Sequence, residues 1–446
     1  MTVQPRPTPR RLRGRSAAVV VPISATRESR EPSSPARRAR TRTLRVAVLH
    51  GVGFFYSGGG EKLVIQQVLG LRARGHVVDC YAPIVDAKRS FPGWLEQIAP
   101  RRLAPRLPTW LRFPDALAII AMSVAAPLLA RRLREYDVVL AANQPAGWVA
   151  WWARRLHGVP YVLYLAQPNR LLYPRAIDRE RTVVVKPDYL FLRAIAPFIR
   201  PLVHWADRQS VAGAREALAN GRYMTRVLSQ LYGRPFRSSP AGAEIVIGNA
   251  ERFVGELRVN GTTIPKPFIL LTNRHYPQKR FEVAIEALTH PKLAARGVRL
   301  VITGQETPYT TQLRALVARL GLAKRVRFVG LTSEEDLARL YAAAACYVYP
   351  SPHEDYGMGV VEAMAAGTPV VAWDHAGPIG TIVDGTTGYL VEPGRADIFG
   401  DLTARLVCDE YLSRRLGRRA QEHALGGFSL NAHIDALDEV LGDVAR

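Results

Sequence analysis

The chain has 446 residues, too long for one ordinary core and suited to two domains of roughly 200 residues each. With 48% hydrophobic and 22% charged residues it has a globular composition, and no run reaches the twenty or so apolar residues that a membrane-spanning helix needs. The net charge is +23: residues 1–43 hold eleven arginines against two glutamates, so this short stretch carries +9 and the body +14. A basic body suits an anionic donor substrate, a lipid-phosphate acceptor or an anionic membrane surface, and an arginine- and alanine-rich proteome would account for part of it. Nucleic acid is not an expected partner, because no nucleic-acid motif occurs and the arginines do not cluster with aromatics.

The elements follow in chain order. Residues 1–43 read as a basic disordered extension, or as a start placed too far upstream; the apolar run Ala17–Ile23 is short and holds Pro22, which makes a poor signal peptide. Leu44–His50 reads as a buried parallel strand, Gly51–Gly60 as a loop and Glu61–Arg72 as a helix that ends at Gly75-His76 before the strand Val77–Tyr81. Ala116–Ala130 has the length of a buried or interfacial helix. Asp137–Ala142 and Pro160–Tyr164 are strand-like around a helix over Ala146–Leu156. The Pro- and Gly-rich stretch Arg234–Pro267 reads as a linker. Beyond it the strands Phe268–Thr272, Val298–Thr303, Val326–Val329, Cys346–Tyr349 and Pro369–Trp373 alternate with helices over Arg280–Thr289, Thr310–Leu320 and Glu334–Ala344. Strands alternating with helices twice over predict an α/β protein with two doubly wound, Rossmann-like domains. Cys80, Cys346 and Cys408 are odd in number and far apart, so buried thiols and a reducing compartment are expected.

The most informative stretch is Pro352 to Val371. It sets Glu354 and Glu362 eight positions apart around Gly357 and Gly359, then runs through a small-residue helix that stops at Gly367-Thr368-Pro369. A loop acid at a helix entrance can bind sugar hydroxyls. A second acid two turns on can take the two hydroxyls of a ribose, and the backbone N–H groups between them suit a phosphate. Gly357 and Gly359 permit close backbone approach, and Met358 and Val360 either flank the ligand or pack.

This stretch resembles the acid, seven residues, acid motif of the retaining glycosyltransferases of family 4, and the match is complete over some twenty residues. The resemblance implies the GT-B fold, in which two Rossmann-like domains face a central cleft. It places the acceptor domain at 44–238, the donor domain at 239–428 and a helix crossing back to the first domain at 429–446. Glu354 then meets the transferred sugar and Glu362 the donor ribose. Thr272–Arg280 resembles the family's Gly-Arg-x-x-x-x-Lys segment with Asn273 in place of glycine; by analogy Arg274 and Lys279 hold the donor pyrophosphate and stabilise its departing charge. Gly304 ends a strand that faces the nucleotide. Ser57-Gly58-Gly59-Gly60-Glu61 resembles the family's Gly-Gly-x-Glu turn, whose glycines let acceptor and phosphate approach a helix N-terminus. Tyr164–Tyr173 resembles a Tyr-Cys-His-x-Pro-x-Arg segment but has Ala166 at the histidine position; Arg170 is left open between an acceptor phosphate and a loop cap. Ala219–Tyr223 and Leu231–Pro235 resemble further segments that carry no chemistry.

The resemblance implies a metal-independent, cofactor-free transfer of a hexose, with mannose favoured, from GDP-mannose or a UDP-sugar to a glycan or polyprenyl-linked acceptor. The expected location is the cytoplasm, including the inner face of the plasma membrane. Other readings are a catalytically inactive homologue acting as a scaffold and a sugar-nucleotide epimerase, which would need an acid and base array that is not found. A dinucleotide enzyme is disfavoured, because after Gly51 and Gly53 the third fingerprint position is Tyr56 and no acid closes the second strand.

Overall fold

The computed structural model describes residues 42–104, 113–175, 187–243 and 257–446. The basic tail therefore lies outside the described residues except for its last two, and so does the middle of the expected linker. In the first half, Arg45–His50 (β1), Val77–Ala82 (β2), Arg101–Arg102 (β3), Val138–Ala142 (β4), Tyr161–Leu165 (β5), Glu216–Ala219 (β6) and Arg237–Ser238 (β7) form one parallel sheet in the order β3-β2-β1-β4-β5-β6-β7. Every residue of β4 and β5 is buried, as their unbroken apolar runs VVLAA and YVLYL require of strands covered on both faces.

The second half opens with a hairpin of Leu257–Val259 (β8) and Thr262–Ile264 (β9), which falls inside the stretch expected to be linker. Its main sheet is parallel: Phe268–Thr272 (β10), Arg299–Thr303 (β11), Val326–Gly330 (β12), Cys346–Tyr349 (β13), Val370–Trp373 (β14) and Gly388–Val391 (β15), in the order β12-β11-β10-β13-β14-β15. The two sheets make this a GT-B architecture. Cys80 and Cys346 are buried thiols in β2 and β13, while Cys408 is partly buried.

Four elements depart from the sequence expectation. The apolar segment 116–130 is broken: Pro114–Val124 and Ala126–Leu133 meet at 70°, with Ala118, Met122, Ala126 and Leu129 turned into the first domain's core. Among the described residues no single helix is long and apolar enough to cross a membrane. The 26-residue helix Pro187–Ala212 contains Pro197 and Pro201 and has no counterpart in the sequence reading. Nor have Ala396–Cys408 and Glu410–Gly427 beside the second sheet.

The chain passes between the halves twice at one place. Ala243 N–H donates to Phe428 O at 2.8 Å, and a Cβ on Gly242 would stand 2.3 Å from Leu430 Cα, so only glycine lets the two crossings touch. The helix Leu430–Val444 then lies on Gly59–Ala73 of the first half, tied there by Arg74 to Asp435 at 2.6 Å and His76 to Asp438 at 2.8 Å.

Candidate active site

In a doubly wound sheet the loops diverge where the strand order reverses, and that opening holds the ligand. Here the reversals fall between β1 and β4 and between β10 and β13. The first opening presents His50, the glycine loop 57–60 and Asn143; the second presents the loop after β10 with Arg274 and Lys279, and the loop after β13 with Glu354. The openings share a cleft of about 690 Å³ lined from both halves. The Gly59 Cα hydrogen and Met358 meet across it, since a Cβ there would lie 3.1 Å from Met358 Cγ.

Glu354 stands in the β13 loop with Lys279 Nζ at 2.5 Å and Tyr349 OH at 2.8 Å from the same oxygen. Burial pushes its pKa up, but the Lys279 charge and the hydrogen bonds from Lys279 and Tyr349 outweigh burial and hold it down at about 2. Glu354 is therefore a carboxylate at any ordinary pH. Arg274 stacks on Tyr56 of the first half, 4.5 Å from the ring centroid, and faces Tyr276 at 5.8 Å. Glu362, in the helix Met358–Ala365, accepts from Lys62 Nζ at 2.9 Å and from Tyr341 OH at 3.0 Å. Thr272 bridges Tyr341 and Tyr347 behind it, at 3.0 and 2.8 Å.

The glycines act by backbone. Gly357 has φ 90° and opens the Glu362 helix. Gly304 has φ 133°, and a Cβ there would sit 1.8 Å from the Asn273 carbonyl, so the Arg274 loop can pass only over glycine. A Cβ on Gly359 would reach within 2.4 Å of Tyr347 OH. Gly58 is the N-cap of Gly59–Ala73, and Gly58, Gly59 and Gly60 all line the cleft.

Of the residues expected at the site, Glu354, Arg274, Lys279, Glu362, Gly357, Met358, Gly359, Gly304 and the glycine loop all line one cleft. Val360 does not: it is fully buried in the core, on the face of its helix turned from the cleft, so its role is packing. Arg170 is not open to an acceptor phosphate either. Its guanidinium donates to both carboxylate oxygens of Asp355, and Arg175 joins at 3.6 Å, tying the first half to the loop after β13. His375 sits outside the cleft lining, its ring 4.7 Å from that of His353.

Sequence reading missed Lys62, His50, Asn143, Asp355 and the cleft role of Glu334. Lys62 carries no motif, and its partners Glu334 and Glu362 lie 272 and 300 positions away. His50 is 2% exposed at the end of β1, and burial pushes its pKa down to about 4. Its Nε2 is 4.0 Å from Glu61 Oε1, and neither ring nitrogen has a hydrogen bond in standard geometry. Asn143, at φ 61°, accepts from Ala166 N–H at 2.9 Å and so shapes the loop that lacks a histidine.

Two facing Rossmann-like halves, with cations and acids gathered where both strand orders reverse, define a sugar-nucleotide-dependent transferase of the GT-B class. Residues 58–238 match the glycosyl transferase 4-like domain and residues 257–423 match glycosyl transferases group 1. The D-inositol 3-phosphate glycosyltransferase of Actinosynnema mirum is 30% identical over 68% of this chain and 71% of its own length. The alpha-D-kanosaminyltransferase of Streptomyces kanamyceticus is 27% identical over 67% and 74%. The alpha-1,3/1,6-mannosyltransferase ALG2 of Dictyostelium discoideum is 24% identical over 89% and 98%. The structure of Anabaena HepE with UDP and glucose superposes with TM-score 0.67 at 21% identity, over 90% of this chain and all of that one. The chain belongs to the group 1 glycosyltransferases, and it is a glycosyltransferase that draws on a nucleotide sugar.

Proposed function

We propose that this enzyme transfers a hexose, mannose in the first instance, from a nucleoside-diphosphate sugar to a glycan or lipid-linked acceptor with retention at the anomeric carbon. The observation that carries this reading is the pairing of Lys279 with Glu354 at 2.5 Å beside Arg274, at the reversal between β10 and β13. Arg274 and Lys279 take the diphosphate, Glu354 takes the sugar hydroxyls and supports the cationic character of the transition state, and Glu362 takes the ribose. The acceptor hydroxyl attacks on the face from which the diphosphate leaves, and a departing phosphate oxygen receives its proton. The protein then contributes orientation and charge stabilisation. The two side-chain cations are the groups assigned to the leaving diphosphate, so a divalent ion has no part in the scheme.

Mannose is supported by likeness to ALG2, which covers 98% of that relative. A UDP-hexose is the rival donor, because HepE is solved with UDP-glucose. Incubating the EDTA-treated enzyme with GDP-mannose, UDP-glucose or UDP-N-acetylglucosamine and following release of GDP or UDP decides between them. Turnover with GDP-mannose alone is expected, and turnover confined to a UDP-sugar overturns the mannose reading. Proton NMR of the first product reads the anomeric configuration.

A cytoplasmic enzyme working at an anionic membrane completes the proposal. Phe198, Leu202 and Trp205 are 84%, 66% and 47% exposed and fall at i, i+4 and i+7 on one face of Pro187–Ala212. Trp205 continues into Trp148 and Trp151, with ring centroids 5.4 and 6.1 Å away, and exposed Arg154, Arg155 and Arg208 lie on the same helix pair. Apolar and aromatic side chains beside arginines suit an anionic bilayer. Co-sedimentation with phosphatidylglycerol vesicles is expected, with loss in Phe198→Ser/Leu202→Ser. Equal recovery of this variant and wild type overturns the assignment.

A further inference from the structure

Lys62 is a buried lysine with no place in the scheme above. It rises from the first half and ends between two acids of the second, with Nζ 2.6 Å from Glu334 Oε2 and 2.9 Å from Glu362 Oε1. Its side chain is 10% exposed, as is that of Glu362. Burial pulls the ammonium's pKa down, but the Glu362 and Glu334 charges outweigh it and hold the pKa well above the usual lysine value.

A tie between the halves alone does not explain this position. Ties already exist at the back of the molecule, where Arg74 holds Asp435 and His76 holds Asp438, away from the cleft. Lys62, Glu334, Tyr341 and Glu362 all line the cleft itself. Hydrogen-bonding capacity remains there. The ammonium has three N–H donors and two are engaged by the acids, while an ionised carboxylate offers about four acceptor directions and Glu362 uses two. A vicinal diol brings two O–H donors and oxygen lone pairs. It can donate to Glu362 and accept from Lys62 without dismantling the cluster.

We propose that Lys62 is a ribose-positioning residue lent by the first half, forming with Glu334 and Glu362 one seat for the donor's vicinal diol. This rests on the reading that Glu362 holds the ribose. It adds that nucleotide recognition is assembled from both halves, so binding of the ribose and apposition of the two sheets are a single event. Two acids with one shared cation explain the choice of lysine. Without it the buried Glu362 would face the half-exposed Glu334 uncompensated, and a buried charge stripped of its partner is strongly unfavourable.

The test is equilibrium binding of UDP and GDP, and of their 2′,3′-dideoxy counterparts, to wild type, Lys62→Met and Lys62→Arg, with Arg74→Met as a back-tie control. In wild type the ribonucleotide should bind more tightly than the dideoxy form. Lys62→Met should lose about tenfold or more of the ribonucleotide affinity, as expected for a hydrogen bond to a charged group, and leave the dideoxy affinity unchanged. Lys62→Arg should recover part of the difference, and Arg74→Met should move neither. Equal weakening of both nucleotides by Lys62→Met overturns the inference, making Lys62 a plain tie. Tighter binding by that variant also overturns it, since Lys62 would then obstruct the seat. A wild type that does not distinguish the two nucleotides sinks the ribose reading of Glu362 and this inference with it. Discrimination that survives in Lys62→Met sinks the inference alone.

Discussion

Glu354 shows how a single carboxylate is made permanently anionic in a partly buried place. Its desolvation is opposed by Lys279 at 2.5 Å and Tyr349 at 2.8 Å, and the balance falls to the charged form. Glu354→Gln keeps the shape and removes the charge, so kcat should fall about 10²–10³-fold, the usual range for one electrostatic group in a site, and the melting temperature should fall as well because Lys279 loses its carboxylate partner. A kcat within threefold of wild type would remove Glu354 from the chemistry. Gly304 sets the opposite kind of constraint. With φ 133° and a Cβ only 1.8 Å from the Asn273 carbonyl, Gly304→Ala forces backbone movement. A loss of roughly 1–3 kcal/mol by urea titration is expected, as for other overpacked sites. The acid pair, the two cations and the glycines were legible as residue types at fixed spacing. Arg170 was not, because its partner Asp355 lies 185 positions away and only folding brings the pair together. Val360 was misplaced for a related reason: its neighbours Met358 and Gly359 face the cleft, and only the helix phase turns it inward.

At the scale of elements, the helix Leu430–Val444 joins the two halves a second time, with Leu437 and Leu441 fully buried against the first domain. Leu437→Ala should cost about 2–5 kcal/mol by chemical denaturation, as for other buried leucines. A cost below 1 kcal/mol would mean that the helix is not packed as described. This crossover was expected from the family resemblance, whereas most strands were readable from their apolar runs to within one residue at their ends. Pro187–Ala212 was not readable. Pro197 and Pro201 each forfeit a helical hydrogen bond, and local propensity argues against the helix. Packing against the tryptophan helix Ala146–His157, with Trp148 and Trp205 at 5.4 Å, is a tertiary effect that propensity does not contain. The break inside 114–133 is similar: Pro127 stands just after the 70° bend between Pro114–Val124 and Ala126–Leu133.

Across the whole molecule, buried histidines make stability depend on pH. Burial pushes His50, His275 and His433 down to about 4 each, whereas an unfolded chain holds them near the ordinary 6.5. Between those values the unfolded state binds more protons than the folded one, so stability is full above about pH 6.5 and declines as pH falls towards 4. Urea midpoints at pH 7.5, 6 and 5 should decrease in that order, and a flat series would refute neutral burial of these rings. Glu354 adds a further loss at lower pH, from its ordinary range near 4.5 down to about 2.

The sequence by itself determined the two-fold α/β plan, the identity of the acids and cations that line the cleft, and the family. Each of these is written in local periods and short spacings, since strand runs, helix faces and glycine turns are decided within some twenty residues. Tertiary structure alone decided that Lys62 stands between Glu334 and Glu362, that Arg170 closes on Asp355, and that Arg274 stacks on Tyr56. Those contacts join residues from both halves, and they exist only because the strand-order reversals of two separate sheets are brought face to face across one cleft.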